Sequence, residues 1–330
     1  MQMRRLGTTG PEVSALGLGC MGMSDMYGPA DRAEAIATVH DALEAGVNLL
    51  DTGDFYGMGH NEMLIAEALK GHRREAVVLS VKFGALRGPD GAFVGFDGRP
   101  VAVKSALAYT LRRLGVDYID VYRPARVDPA VPIEDTIGAC AELVQAGYVR
   151  HIGLSEVGSE TIRRAAAVHP ICDLQIEYAL TARGIEGNVL KTTRELGIGI
   201  TAYGVLSRGL IGGHMTAAPT GRDFRSHSPR FQGENLTKNL ALAEALRAAA
   251  AKIGLSPAQA AIAWVAAQGE NIVPLVGARR PERLAEALGA FKATLSAADL
   301  AAIEAAVPKD ATAGDRYPAP QMAMLDSERG

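Results

Sequence analysis

The chain has few cysteines, no long apolar run and no concentration of one charge, and each absence removes a class of function. Cys20, Cys140 and Cys172 are its three cysteines in 330 residues, odd in number and without a CxxC pair. That excludes a disulfide framework or a cysteine-based zinc site and fits a reducing compartment. No stretch reaches the roughly 18 apolar residues that span a bilayer, and the opening MQMRRLGTTG lacks the apolar core of a signal peptide, so a soluble cytoplasmic protein is expected. The net charge is −3 and the basic residues are dispersed, which argues against a nucleic-acid surface and for a small-molecule partner. HExxH and clustered carboxylates are absent, which speaks against a metal-dependent isomerase. No linker rich in Pro, Gly or Ser divides residues 1–330, so one domain is expected.

What the chain does contain is a repeated alternation of short apolar runs and helical patterns. Strands are expected over SALGLG (14–19), VNLLDTG (47–53), AVVLSVKFG (76–84), YIDVYR (118–123), HIGLSE (151–156), DLQIEY (173–178), GITAYG (199–204) and NIVPLVG (271–277). Between them lie patterns such as DRAEAIATVHDALEAG, SALAYTLRRLG and PERLAEALGA, several closing on the glycine expected past a helix. Eight such units imply a closed parallel (β/α)8 barrel, the α/β fold called a TIM barrel. Residues 83–103 and 207–235 read as long functional loops, the N-terminal segment as a hairpin plugging the barrel bottom, and the tail AGDRYPAPQMAMLDSERG as an aperiodic cover over the mouth. Gly17, Gly19 and Gly22 spell GxGxxG, but MSDMYGPA separates them from the helix capped by Asp31, which argues against a Rossmann turn.

In a parallel barrel, chemistry gathers at the carboxyl ends of the strands. Asp51 closes VNLLD and Lys82 closes VVLSVK on adjacent strands, and two opposite charges buried at matching positions suggest a pair, although either alone is equally a solvated strand end. Tyr56, in DTGDFYG, can reach them. An adjacent ammonium lowers a phenol's pKa and would make Tyr56 a usable proton donor, as carbonyl reduction requires. Arg279 and Arg280 precede Pro281 at a helix start, where amides and the helix dipole favour a phosphate, with Arg283 one turn on. Tyr203 offers an aromatic face to a nicotinamide, and GVLSRGLIGG follows it as a flexible site for pyrophosphate. Ser155, Glu156, Gln175 and Glu177 are polar groups in or after strands five and six that could hold a carboxamide.

Taken in order, GLGCMGMS, LLDTGDFYG, VKFG, RVDP, IGLSE, QIEY, AYGVLSRG and VPLVGARR make the chain resemble the aldo-keto reductase superfamily, in its bacterial and plant branch that is similar to potassium-channel β subunits. The resemblance implies reduction of aldehydes or ketones with NADPH, bound without a Rossmann domain. It implies catalytic roles for Asp51, Tyr56 and Lys82, carboxamide contacts from Ser155 and Gln175, stacking by Tyr203, and 2'-phosphate contacts from Arg279 and Arg283. Further cofactor contacts are implied at Met21, Asp51, Glu156, Gly204, Leu206, Ser207, Gly209, Gly277 and Glu286. Three departures stand out. Ala125 occupies the place of the family histidine before RVDP, Glu156 stands where an asparagine is common, and Ala287 stands where an asparagine often contacts adenine. Losing the histidine's hydrogen bond would cost roughly 2–4 kcal/mol at a developing oxyanion, a gap that Arg123 or Arg126 could fill. It also motivates an alternative, an NADPH-binding regulatory or redox-sensing subunit with little turnover.

Overall fold

Short β-branched and leucine-rich runs flanked by turns become strands, and the amphipathic stretches between them become the helices that cover those strands. The computed structural model describes residues 1–24, 27–215, 217–221 and 223–329. Eight parallel strands close into a barrel: β1 (Gly17–Gly19), β2 (Leu49–Gly53), β3 (Val78–Phe83), β4 (Ile119–Pro124), β5 (Val149–Ser155), β6 (Ile171–Glu177), β7 (Gly199–Tyr203) and β8 (Ile272–Gly277). Each lies within three residues of its expected bounds. The first is shortest because Ser14 belongs instead to an antiparallel hairpin, Met3–Arg5 with Glu12–Ser14.

That hairpin plugs the barrel bottom as expected. Leu6 and Val13 pack with Leu49, Val78, Val121, Cys172 and Val273, all buried, which removes the lower strand ends from water. The main core lies between strands and outer helices, and includes Trp264, Leu50, Val81, Ile152 and Ile200. Gly17 is needed for packing, since a Cβ there would lie 2.8 Å from a methyl of Leu49 and 2.9 Å from one of Leu275. The GxGxxG spacing therefore serves a crowded strand. No long helix starts at Gly22, and the first helix, α1 (Arg32–Glu44), begins only after Asp31 accepts the Glu34 amide at 2.8 Å. Asp25 and Met26 of the intervening MSDMYGPA lie outside the described residues.

Both segments expected to be irregular carry structure. After β3 the chain folds into an antiparallel hairpin, Ala85–Arg87 with Phe93–Phe96, and the next helix already starts at Pro100. After β7 come the turns Ser207–Gly209, Phe224–His227 and Pro229–Phe231 before a helix over Gly233–Lys252. The tail contains a helical turn at Ala319–Met322 and another at Asp326–Glu328. Among the described residues no helix is long and apolar enough to cross a membrane.

Candidate functional site

The polar ends of the strands meet inside the barrel mouth. Lys82 Nζ donates to Asp51 Oδ2 at 2.5 Å and to Gln175 Oε1 at 2.9 Å, while Gln175 Nε2 donates to Asp51 Oδ1 at 2.7 Å. Ammonium, carboxylate and amide thus close a triangle in which each buried charge is paired and hydrogen-bonded, as burial demands. A polar layer beneath it extends the support. Ser80 Oγ donates to Asp51 Oδ1 at 2.9 Å, Arg123 Nη2 to Ser80 Oγ at 3.0 Å, and Arg123 Nη1 to Asp173 Oδ2 at 2.9 Å. Arg123 is fully enclosed in this layer and does not fill the place of the family histidine.

Tyr56 sits above the triangle on a turn spanning Tyr56–Gly59, where Gly57 (φ 55°) and Met58 (φ 51°) adopt left-handed backbone. Asn61 anchors this segment to the first strand's loop: its Oδ1 accepts from Thr52 Oγ1 at 2.7 Å and its Nδ2 donates to Cys20 O and Ser24 Oγ at 2.8 Å each. Lys82 Nζ lies 5.2 Å from the Tyr56 ring centroid. The expected lowering of the phenol pKa is not found. Burial first, and then the Asp51 carboxylate, hold Tyr56 well above its ordinary value, opposed by the positive charge of Arg126. Burial likewise pulls Lys82 below its ordinary value against the attraction of Asp51. Tyr56 is accordingly a fully protonated hydroxyl at neutral pH.

From this corner runs a cavity of about 500 Å³, a size usual for small-molecule sites. Met21, Asp51, Tyr56, Lys82, Ser155, Gln175, Tyr203, Gly204, Leu206, Gly209, Gly277, Arg279, Arg283 and Glu286 all line it. Two expected cofactor contacts, Glu156 and Ser207, do not. Ser207 is buried against Thr181 through a hydroxyl–hydroxyl bond, and its amide donates to Gly204 O at 2.6 Å. Glu156 is enclosed by Arg316 (Nη2 to Oε2, 2.6 Å), Tyr203 (OH to Oε1, 2.7 Å) and Ser327 (Oγ to Oε2, 2.9 Å). Glu177 is engaged similarly, accepting from Arg230 Nη1 at 3.1 Å.

At the far end, the expected phosphate residues separate in role. Arg279 lines the cavity and donates to the carbonyls of Tyr27 (2.9 Å), Gly28 (3.2 Å) and Pro29 (3.2 Å), with no carboxylate in ion-pair range among the described residues. Arg280 instead faces Glu34 at 3.6 Å. Arg283 Nη1 lies 2.6 Å from His214 Nε2 and 3.4 Å from Glu286 Oε2, while Glu286 Oε1 accepts from Ser256 Oγ at 2.7 Å. Pro281 begins the following helix, Pro281–Leu288, so the open amides of its first turn adjoin Arg279. This donor set suits a phosphate.

The segments expected to form functional loops and a cover line the cavity through residues that sequence reasoning missed. Phe93 and Phe96 enter on the hairpin after β3, Phe224 on the loop after β7, and Tyr317, Met324 and Leu325 on the tail. The GPDG turn between ALR and AFVGF is the one signal that could have revealed the hairpin. Tyr317 OH lies 2.9 Å from Tyr203 OH, and Arg208 stacks on the Tyr317 ring at 4.2 Å. The tail therefore covers the mouth as expected.

Known proteins share this sequence pattern and fold. A sequence model for the Aldo/keto reductase family matches residues 15–308. A probable aldo-keto reductase of Glycine max is 44% identical over 322 residues, covering 96% of this chain and 92% of that one. Among solved structures, a glycerol dehydrogenase from Gluconobacter oxydans superposes with a TM-score of 0.83 at 29% identity, covering 92% of this chain and 94% of the other. The holo form of an aldo-keto reductase from Bacillus halodurans gives 0.78 at 28% identity, covering 93% and 96%. The chain belongs to the aldo/keto reductase family, whose members are oxidoreductases acting on carbonyls.

Proposed function

We propose that this chain reduces aldehydes or ketones to alcohols with NADPH, using Tyr56 as proton donor and Lys82 and Asp51 to tune it. The reading rests above all on the Lys82–Asp51–Gln175 triangle beneath Tyr56, at one end of a cavity whose other end offers Arg279 to a phosphate. When bound, NADPH supplies a hydride. The Tyr56 hydroxyl would give its proton to the carbonyl oxygen, where the electron pair of the broken π bond collects. Lys82 keeps positive charge beside the phenolate left behind, and Asp51 with Gln175 keeps Lys82 from turning away. Ser155 and Gln175 are suited to the carboxamide and Tyr203 to the face of the nicotinamide. Arg279, aided by Arg283, favours NADPH over NADH through the adenosine 2'-phosphate.

Ala125 lines the cavity where the family pattern has histidine, and that substitution favours a second reading, a subunit that senses NADPH with little turnover. Loss of reduced-nicotinamide absorbance, followed over a panel of aliphatic and aromatic aldehydes, separates the two. Turnover abolished in Tyr56→Phe and raised in Ala125→His supports the reductase. Tight NADPH binding without turnover on any carbonyl supports the sensor.

A further inference from the structure

Arg126 lines the cavity with part of its hydrogen-bonding capacity unused. Its Nη1 donates to Ala125 O at 2.6 Å and Ser155 Oγ at 3.3 Å, and its Nη2 reaches Tyr317 OH at 3.5 Å. A guanidinium carries five N–H donors, so the Nε hydrogen and one Nη2 hydrogen have no partner among the described residues. Its neighbours differ in kind. Arg123 is paired with Asp173, Arg208 with Glu177, Arg225 with Asp223 and Arg316 with Glu156, whereas Arg126 has no carboxylate in ion-pair range among the described residues. Burial works against its charge, but nearby groups including Glu156 outweigh that and hold its pKa above the ordinary value, and its unused N–H groups on the cavity wall are open to a ligand that carries negative charge.

The place of such a ligand is defined by what surrounds Arg126. Its field acts on the Tyr56 hydroxyl and on the Tyr203 hydroxyl alike, and it contacts Ser155 at the carboxyl end of β5. A group lying among Tyr56, Ser155 and Tyr203 is where the reacting carbonyl must sit if Tyr56 gives the proton and Tyr203 faces the nicotinamide. Ala125 presents only a methyl there, so no side chain at that position stands between the guanidinium and the carbonyl.

We infer that Arg126 is a catalytic residue of this chain: its free N–H groups meet the substrate carbonyl oxygen beside Tyr56, in the place left bare by Ala125. The inference rests on the reductase reading above. Arg126 polarises the C=O bond and stabilises the negative charge that reaches oxygen as hydride adds to carbon, and Tyr56 then gives its proton to the same oxygen. A guanidinium remains charged throughout and neither gives nor takes the proton.

Arg126→Ala, Arg126→Lys and Tyr56→Phe are to be compared in the full chain with a neutral aromatic aldehyde and an aldehyde bearing a carboxylate, alongside NADPH affinity from fluorescence. The Arg126→Ala change should lower kcat about 100-fold or more for both aldehydes, on the scale of one oxyanion donor, with NADPH affinity within about threefold. Added guanidinium ion should restore part of kcat in Arg126→Ala, which a structural role would not produce, and Arg126→Lys should retain more kcat than Arg126→Ala. Near-native kcat in Arg126→Ala, or a rise in KM confined to the carboxylate-bearing aldehyde, would overturn the inference while leaving the reductase reading intact. Undiminished turnover in Tyr56→Phe would overturn both. If the alanine variant does not fold, Arg126→Lys with kcat unchanged on the neutral aldehyde overturns the inference by itself.

Discussion

Gln175 reaches across the barrel to donate to Asp51 over 2.7 Å, from a strand that lies diametrically opposite in the closed order of eight. The contact joins residues 124 apart in sequence, and it shares Asp51 Oδ1 with Ser80 while Lys82 holds Oδ2. Removing it leaves Lys82 with one partner and a carboxylate oxygen with one donor fewer.

The first expectation follows from that geometry. Gln175→Leu should lower stability by about 1–3 kcal/mol, since buried charged groups lose hydrogen bonds, and should lower kcat more than it raises KM because Lys82 is no longer held. Urea unfolding paired with steady-state kinetics measures both. A variant with native stability and kcat would show that the triangle has no part in positioning.

Arg279 and Arg283 bear on cofactor choice. Changing either to alanine should weaken NADPH binding by about tenfold or more while altering NADH affinity by less than about threefold, because the extra phosphate alone is lost as a partner. Arg279→Ala should have the larger effect, since Arg283 shares its charge with Glu286 at 3.4 Å. Titration of intrinsic fluorescence with each nucleotide tests this, and equal losses for both nucleotides would contradict it.

The pair formed by Glu156 and Arg316 makes the tail sensitive to acid. Burial opposes ionisation of Glu156, but Arg316 overrides it and holds the carboxyl at about 2, below its ordinary 4.5. A folded pKa below the unfolded one means that the stabilisation is complete above about 4.5 and is lost as pH falls towards about 2. Between about pH 5 and pH 3 the native chain should therefore lose up to a few kcal/mol that Glu156→Gln does not lose. At neutral pH, Glu156→Gln should expose residues 317–329 to hydrogen exchange and proteolysis before the barrel opens. Equal acid sensitivity of the two chains would remove the latch from this account.

Much of this was legible in the sequence because the decisive signals are local. Each barrel strand is a short apolar run, and Asp51 and Lys82 stand out as polar residues ending such runs, so strand count, barrel closure and the central ion pair could all be read. The remainder depends on pairings between distant segments. Nothing near Glu156 announces Arg316, 160 residues later, and a sequence reading therefore does not see that Glu156 holds the tail. The lowering expected for Tyr56 failed for a related reason: adjacency to Lys82 was legible, but the full burial of the hydroxyl beside Asp51 was not. The contact of Ser207 with Thr181 was hidden in the same way, because Thr181 lies on another loop.

The hairpin of Ala85–Arg87 and Phe93–Phe96 stands outside the barrel ladder, pairing only with itself, yet it carries two aromatic rings to the cavity. Its side chains are thus free to vary without disturbing the register that sets Asp51 beside Lys82. On the reductase reading, selectivity and reactivity are consequently separable: exchanging one short appendage should redirect which carbonyl compounds enter, while the strand ends stay where they are.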